Sequence, residues 1–279
     1  MRITALVENT SLRDDLSSEH GLSLYIQTQK HNILFDSGVS DLFAKNAEIL
    51  GVDLSEVDIA FVSHAHFDHG GGLKTFLKRN SKAKIYVGET AFDGYYANEI
   101  IADEKDIKRR YIGLDQTLLD SGRFVFVGSR LQVDEELALF SGVKCRRLNP
   151  TGNADILKKS GEDYIRDDFT HEVNLLIREN SKTVMITGCA HCGIVNILEH
   201  LDREAGITPD FVIGGFHLSN PAQGGSEQPE IVDEIAAFLH SRKTKYFTCH
   251  CTGSTSYNRL KNVMGDAIDY LSGGRTLEI

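Results

Sequence analysis

The amino-acid sequence predicts a layered α/β fold, a four-layer αββα sandwich, from two observations. Each half of the chain contains short runs rich in β-branched residues that have the length of strands. In each half these runs are joined by segments with apolar residues at helical spacing, such as DLFAKNAEILG and GIVNILEHLDREAG. Two halves of the same strand-then-helix character suit two sheets packed together with helices outside.

The predicted elements follow in chain order. In the first half, strands are expected at ITALVEN, LSLYIQT, HNILFDSG, VDIAFVSH and AKIYVGE, with helices at DLFAKNAEILG and GGLKTFLKRN. In the second half we expect a hairpin at VNLLIRENSKTVMITGCAH and helices at GIVNILEHLDREAG and PEIVDEIAAFLHSR. The strands DFVIGGFHL and KYFTCHCTG, a last helix and the segment LEI complete the second half.

The stretch from about residue 90 to residue 165 has mixed polarity and differs from both halves. Within it, GRFVFVG and the region around VDEELALFSGV have the character of strands. We therefore expect one domain over residues 1–279, with an insertion or arm at about 90–165.

Composition limits the classes of function. The chain has 279 residues, of which 41% are hydrophobic, and a formal net charge of −10. This charge argues against a broad nucleic-acid surface. No apolar run is long enough for a membrane helix, the first residues lack the order of a signal peptide, and the five cysteines suggest reduced thiols. We expect a cytoplasmic protein with a small-molecule substrate, and the sequence leaves the oligomeric state open.

The segment SHAHFDHGGG follows the predicted strand VDIAFV and concentrates metal-ligating residue types. Side chains two apart in an extended segment point to the same side, so His64 and His66 can share one ion. Asp68 and His69 lie at the turn into a helix and can face a second ion. Imidazole and carboxylate groups suit zinc, iron or manganese.

Other histidines fall at the ends of predicted strands or at turns, where side chains from one edge of a sheet can meet in one cleft. These are His171, His191, His217 and His250. Packing or solvation is the expected role for the histidines in turns or on predicted helices, which are His20, His31, His200 and His240.

These motifs resemble the metallo-β-lactamase superfamily, whose HxHxDH pattern is matched by His64, His66, Asp68 and His69. LFDSG also resembles an earlier motif of that superfamily. GCAHCGIVN, GGFHL and HCTG resemble the branch named after 7,8-dihydropterin-6-methyl-4-(β-D-ribofuranosyl)aminobenzene 5′-phosphate synthase. The resemblance implies a metallo-β-lactamase-type fold and a binuclear site with two divalent transition-metal ions, expected to be zinc, with iron or manganese as alternatives.

One strand end departs from the superfamily pattern. Many of its hydrolases have Gly-Asp where this chain has Gly188-Cys189. Either Cys189 is a thiolate ligand there or His191 supplies the contact, and we favour His191. By order along the chain, His171 would match the third ligand motif and His250 the last, which leaves His217 as a candidate acid or phosphate contact.

The expected activity is hydrolysis by metal-bound water, with Asp68 both a ligand and a proton acceptor. Asp36 either orients a ligand histidine or only stabilises its Asp-Ser-Gly turn. The substrate is expected to be a phosphorylated or phosphodiester small molecule, pterin-like by resemblance. Basic side chains in the arm are candidate phosphate contacts, namely Lys105, Lys108, Arg109, Arg110, Arg146 and Arg147.

Two alternatives belong to other classes. The first is an iron-dependent redox enzyme of the same fold, and it is disfavoured because di-iron relatives carry glutamate where this chain has His66. The second is a non-catalytic binding protein, and it is disfavoured because the ligand residue types are intact.

Overall fold

A computed structural model describes residues 1–100, 107–220 and 225–279. Its strands, in chain order, are β1 (Arg2–Val7), β2 (Ser23–Gln27), β3 (Asn32–Phe35), β4 (Ile59–Phe61), β5 (Lys84–Gly88), β6 (Tyr95–Ile100), β7 (Ile107–Tyr111), β8 (Phe124–Val127), β9 (Arg130–Gln132), β10 (Leu137–Phe140), β11 (Ile156–Ser160), β12 (Asp163–Arg166), β13 (Asn174–Glu179), β14 (Lys182–Ile186), β15 (Phe211–Gly214), β16 (Ser219–Asn220), β17 (Gly225–Ser226), β18 (Lys245–Thr248), β19 (Ile268–Tyr270) and β20 (Thr276–Glu278). Its α-helices are α1 (Leu42–Ile49), α2 (Phe67–Gly70), α3 (Leu73–Arg79), α4 (Ile194–Ala205), α5 (Pro229–His240) and α6 (Ser254–Met264).

Two seven-stranded sheets organise the described part of the chain. The first has the order β20-β1-β2-β3-β4-β5-β8, and the second has the order β19-β18-β15-β14-β13-β10-β9. In the first sheet β3, β4, β5 and β8 are parallel neighbours. In the second sheet β14, β15, β18 and β19 are parallel neighbours. Each sheet therefore directs several strand ends toward one edge.

Alternation along the strands divides the core into layers. Ile33 and Phe35 of β3 share one apolar cluster with residues of the second sheet, such as Leu175 and Ile177 of β13. Leu34, between them, belongs to a second cluster that also contains residues of the helices. One face of each sheet thus packs on the other sheet and the opposite face packs under helices. This confirms the predicted αββα sandwich.

The predicted strands and helices of both halves are present in the order expected from the sequence. Helix α4 illustrates the reason, because its apolar residues recur on one buried face and Gly206 ends it in the left-handed conformation. Full burial of a leucine or isoleucine side chain contributes about 1.5–3 kcal/mol. These repeated buried positions are why periodicity located the elements.

The separate arm is smaller than the sequence predicts. Strands β6, β7, β11 and β12 form a four-stranded sheet of their own. By contrast, β8 pairs with β5 and β10 pairs with β13, so both join the main sheets. The reason is burial, because Val127, Leu137 and Leu139 belong to the cluster between the sheets. Among the described residues, no helix is long and apolar enough to cross a membrane.

Candidate metal centre

The ends of the parallel strands place histidines, cysteines and carboxylates at one edge of both sheets. Asp36 follows β3 and His64 lies three residues after β4, while Cys189, His217 and His250 follow β14, β15 and β18. The predicted convergence of strand ends is therefore present. Backbone strain is concentrated here, because Asp36, His217 and His250 all adopt positive φ angles of 50–59° without being glycine.

The segment after β4 turns directly into helix α2. His66 is extended, with φ −100° and ψ 147°, and precedes the helix, whereas Asp68 and His69 lie within it. The change from strand to helix geometry brings the His69 ring back to the His64 ring. His64 and His66 have ring centroids 4.6 Å apart, and His64 and His69 have centroids 4.0 Å apart.

Asp36 is buried and fixes the orientation of His69. One Asp36 carboxylate oxygen accepts from Ser63 N–H at 2.7 Å, and the other lies 2.7 Å from His69 Nδ1. With a proton on Nδ1, His69 Nε2 can present its lone pair to an ion. Gly188 allows this packing, because a Cβ there would overlap the Ser63 hydroxyl.

His191 faces His64 across the two sheets. Their Nε2 atoms are 3.2 Å apart, while His191 Nδ1 lies 2.9 Å from Asn153 Oδ1. The asparagine oxygen can only accept, so Nδ1 carries the proton and Nε2 is left as a lone-pair donor. This is the tautomer in which His191 can bind a metal.

Four histidines have a buried ring nitrogen with no hydrogen-bond partner among the described residues: His66 (Nε2), His200 (Nδ1), His217 (Nδ1) and His250 (Nε2). Of these, His66 and His250 are predicted metal ligands. Asn9 Oδ1 lies 2.7 Å from His250 Nδ1, which directs the other nitrogen inward. His250 Nε2 is 3.4 Å from Asp68 Oδ2, with no hydrogen-bonding geometry. Unpaired buried nitrogens cost free energy unless something binds them, and a metal ion meets that need.

His171 is buried beside these residues but has no free ring nitrogen. Its Nδ1 accepts from Ala65 N–H at 3.0 Å, so Nε2 carries the proton, and Nε2 lies 2.9 Å from Asp167 Oδ2. In this arrangement His171 holds the backbone between His64 and His66. The geometry favours a positioning role over a ligand role.

Cys189 is common to three groups of potential ligand atoms, each within 4.8 Å of one another: with His64 and His191, with His69 and His250, and with His217 and Cys251. Its sulfur is 3.2 Å from His69 Nε2. The alternatives Cys189 and His191 are therefore not exclusive, because both side chains reach the same space.

Burial sets the protonation of the ring nitrogens. It lowers the pKa of His64, His66 and His191, that of His66 to about 3, so these imidazoles are neutral. Burial also acts to lower the pKa of His69, but the charges of Asp36 and Asp68 outweigh it and raise the pKa to about 9. An ion that binds His69 must therefore displace the proton from its Nε2, whereas the neutral imidazoles can bind directly. Imidazoles and carboxylates are the donor set expected for divalent transition metals, so the residues fit the implied ions.

Besides Asn153 and Asp167, sequence reasoning missed three residues around Asp68 and His250. His20 was expected to be solvated or packed, yet its Nε2 lies 3.3 Å from Asp68 Oδ2 and its ring is 4.8 Å from that of His250. Asn9 orients His250, and buried Glu8 accepts from the His250 N–H at 3.1 Å. The polar pair Glu8-Asn9 directly after the apolar strand β1 was the available indication.

A cavity of about 580 Å³ adjoins the centre. Phe169 in its wall stacks on His191, with ring centroids 4.6 Å apart and planes within 1° of parallel. The side chains that give its wall polar and charged character are Lys144, Cys145, Asn149, Thr151, Asn153, Arg166, Asp167, Asp168 and Thr170. The carboxylates of Asp167 and Asp168 are paired with His171 and Lys158.

The predicted phosphate contacts lie in other surroundings. Arg147 pairs with Glu199 at 2.7 Å, and Arg109 and Arg110 lie over the rings of Tyr164 and Phe67. Lys105 lies outside the described residues. Lys144 and Arg166 line the cavity, and Arg147 does not.

Comparisons with known proteins agree with this geometry. A family model described as the metallo-beta-lactamase superfamily matches residues 19–142. The chain is 30% identical to the solved structure of Tm1679, described as a metal-dependent hydrolase of the beta-lactamase superfamily, with a TM-score of 0.83 and coverage of 100% of this chain and 99% of the other. Zn²⁺-bound PqqB from Methylobacterium extorquens is 12% identical, with a TM-score of 0.59 over both full chains, and supports the fold alone.

A curated relative from Methanocaldococcus jannaschii is 27% identical over 281 residues, which is 94% of this chain and 90% of the relative. Its name is 7,8-dihydropterin-6-methyl-4-(beta-D-ribofuranosyl)-aminobenzene-5'-phosphate synthase. The predicted resemblance to this branch is confirmed.

Proposed function

The chain belongs to the metallo-β-lactamase superfamily, and on that premise we propose that it is a hydrolase with a binuclear metal centre, acting on a phosphorylated small molecule. The proposal rests above all on one observation, the buried Nε2 atoms of His66 and His250 that have no hydrogen-bond partner among the described residues. We propose His64, His66 and His191 as one ligand set and Asp68, His69 and His250 as the other, with Cys189 within reach of both.

A pair of divalent ions in these sets would supply an activated water and polarise the scissile bond. The protein's own contribution is orientation and proton transfer. Asp36 and Asn9 orient His69 and His250, and Asp68 offers a carboxylate oxygen, 3.4 Å from His250 Nε2, that can accept a proton. Zinc is the proposed ion, since histidine, carboxylate and thiol side chains all bind it.

The cavity supports a substrate that combines a planar ring with an anionic group. Phe169 offers an aromatic wall, while Lys144 and Arg166 bring positive charge to the same cavity. A phosphorylated pterin-like compound has both features, and the name of the relative from Methanocaldococcus jannaschii contains both. We therefore propose this chemical class as substrate.

The test is a screen of metal-replete protein against phosphodiesters, phosphomonoesters, lactones and thioesters, with metal content measured on the same sample. We expect turnover of a phosphate ester that is lost after chelation and restored by zinc. The double variant K144Q/R166Q should raise KM for that ester and leave the metal content unchanged. Turnover that survives complete removal of metal would contradict the proposed hydrolase mechanism.

A further inference from the structure

A group of two thiols and an imidazole adjoins the proposed centre. Potential ligand atoms of Cys189, His217 and Cys251 all lie within 4.8 Å of one another. We propose that these three residues form a further metal position that binds a thiophilic ion. The inference rests on the proposed metal centre in sharing Cys189 with it and in taking two ions per chain as the count without this position.

The backbone holds the Cys251 thiol toward this group. Its sulfur accepts from His217 N–H at 3.3 Å and lies 3.6 Å from the carbonyl oxygen of Cys189. Gly215 makes the approach possible, because a Cβ at that position would overlap the Cys251 sulfur. His250, the residue before Cys251, has a φ of 50°, so the Cys251 thiol is positioned by a turn with a strained backbone.

His217 supplies the independent indication that a ligand belongs here. Its Nδ1 is buried and has no hydrogen-bond partner among the described residues. Its ring centroid is 4.1 Å from that of His191, and its own φ is 50°. A strained residue whose ring nitrogen is left unpaired is explained if that nitrogen binds an ion.

The donor atoms define the class of ion. Two sulfurs and one nitrogen suit zinc, cadmium, cobalt or copper(I) and disfavour magnesium and calcium. The proposed sets around His66 and Asp68 have mainly nitrogen and oxygen donors, which also suit manganese or iron. The further position should therefore fill selectively with thiophilic ions, while the other two are less discriminating.

This role for His217 differs from the proton donor that the sequence suggests. A proton donor is needed for turnover but not for ion stoichiometry. A ligand, in contrast, changes the number of ions bound even when no substrate is present. Metal binding therefore separates the two roles without any assay of hydrolysis.

The experiment is a cadmium titration of the metal-free full chain, followed by sulfur-to-metal charge-transfer absorption and by elemental analysis. We expect about three ions per chain in the wild type and about two in Cys251→Ser, with weaker thiolate absorption. Cys249→Ser is the matched control, because Cys249 is buried two residues away among apolar side chains and belongs to none of the ligand groups. It should match the wild type in both measurements.

Wild-type stoichiometry and absorption in Cys251→Ser would overturn the inference. His217→Gln, which keeps every thiol, decides the matter if Cys251→Ser does not fold: loss of about one ion supports the position, and full retention contradicts it. Failure of the hydrolase proposal would leave these results unchanged, because neither measurement uses a substrate.

Discussion

Histidines near the two ends of strand β3 differ in whether their ring nitrogens have hydrogen-bond partners. His31 precedes the strand, with its Nδ1 2.7 Å from Asp58 Oδ2 and its Nε2 2.5 Å from Asp134 Oδ2. Beyond the other end, which Asp36 follows, His66 and His250 each have a buried Nε2 without a hydrogen-bond partner among the described residues. An imidazole with both nitrogens paired is fully accounted for by structure, whereas an unpaired buried nitrogen beside other potential ligand atoms is explained by a bound ion.

The largest effect should come from removing the imidazoles of His64 and His66 together, since both belong to the proposed first ligand set. His64→Ala/His66→Ala is expected to lose about one ion per chain, because the proposed first ligand set then retains only His191 and the Cys189 thiol. Elemental analysis after gel filtration measures this. His31→Gln is the control and should keep the full metal content; a double variant that also keeps it would refute the assignment of the first set.

Asp68→Asn should reduce turnover by about 10² to 10⁴-fold while leaving the fold and much of the metal in place. The amide preserves volume and one carbonyl oxygen, but removes the charge that orients and deprotonates water. Asp58→Asn makes the same chemical change in the His31 cluster and should leave turnover unchanged. Circular dichroism and metal content must be recorded on the same samples, and a metal-replete, fully active Asp68→Asn protein would exclude the proton-accepting role.

His171 tests this comparison, because it lies beside the proposed metal ligands yet both of its ring nitrogens have hydrogen-bond partners. His171→Ala should keep the ion count at saturating zinc but weaken affinity by about 10 to 100-fold, the usual effect of removing a group that orients ligands. His191→Ala should instead lose an ion even at saturation. Competition with a zinc chelator distinguishes these outcomes, and equal loss of ions in both variants would show that His171 is a direct ligand.

The sequence could predict those site residues that lie close together in the chain or repeat a pattern, but not those that only folding brings together. His64, His66, Asp68 and His69 stand in one short segment after an apolar strand, so their proximity did not depend on the rest of the fold. His191, His217 and His250 were found through the repeated strand-end pattern. His20 and Asn9 could not be assigned this way, because their importance depends on contacts with Asp68 and His250 that only folding creates.

The same distinction applies to the fold. Elements with sustained burial, such as one face of α4 and nearly the whole of β13, were located correctly. β8 and β10 were predicted as strands but assigned to an arm, because the local sequence does not determine which sheet a strand joins. Their pairing with β5 and β13 is decided by long-range burial between the sheets.

The smallest expected effect concerns His31 and the stability of the fold. Partial burial acts to lower the pKa of His31, but hydrogen bonds to Asp58 and Asp134 outweigh it and raise the pKa above its usual range. The group binds its proton more tightly in the folded state, so its stabilisation is fully present below about pH 6.5 and is lost as the pH rises through the raised value. Because both carboxylates are partly exposed, we expect His31→Gln to cost only about 1 kcal/mol at low pH, and less as the pH rises. Urea denaturation of the metal-free wild type and variant at several pH values measures the difference. A difference that grew with pH would contradict the charged state assigned to His31, and with it the contrast between the two ends of β3.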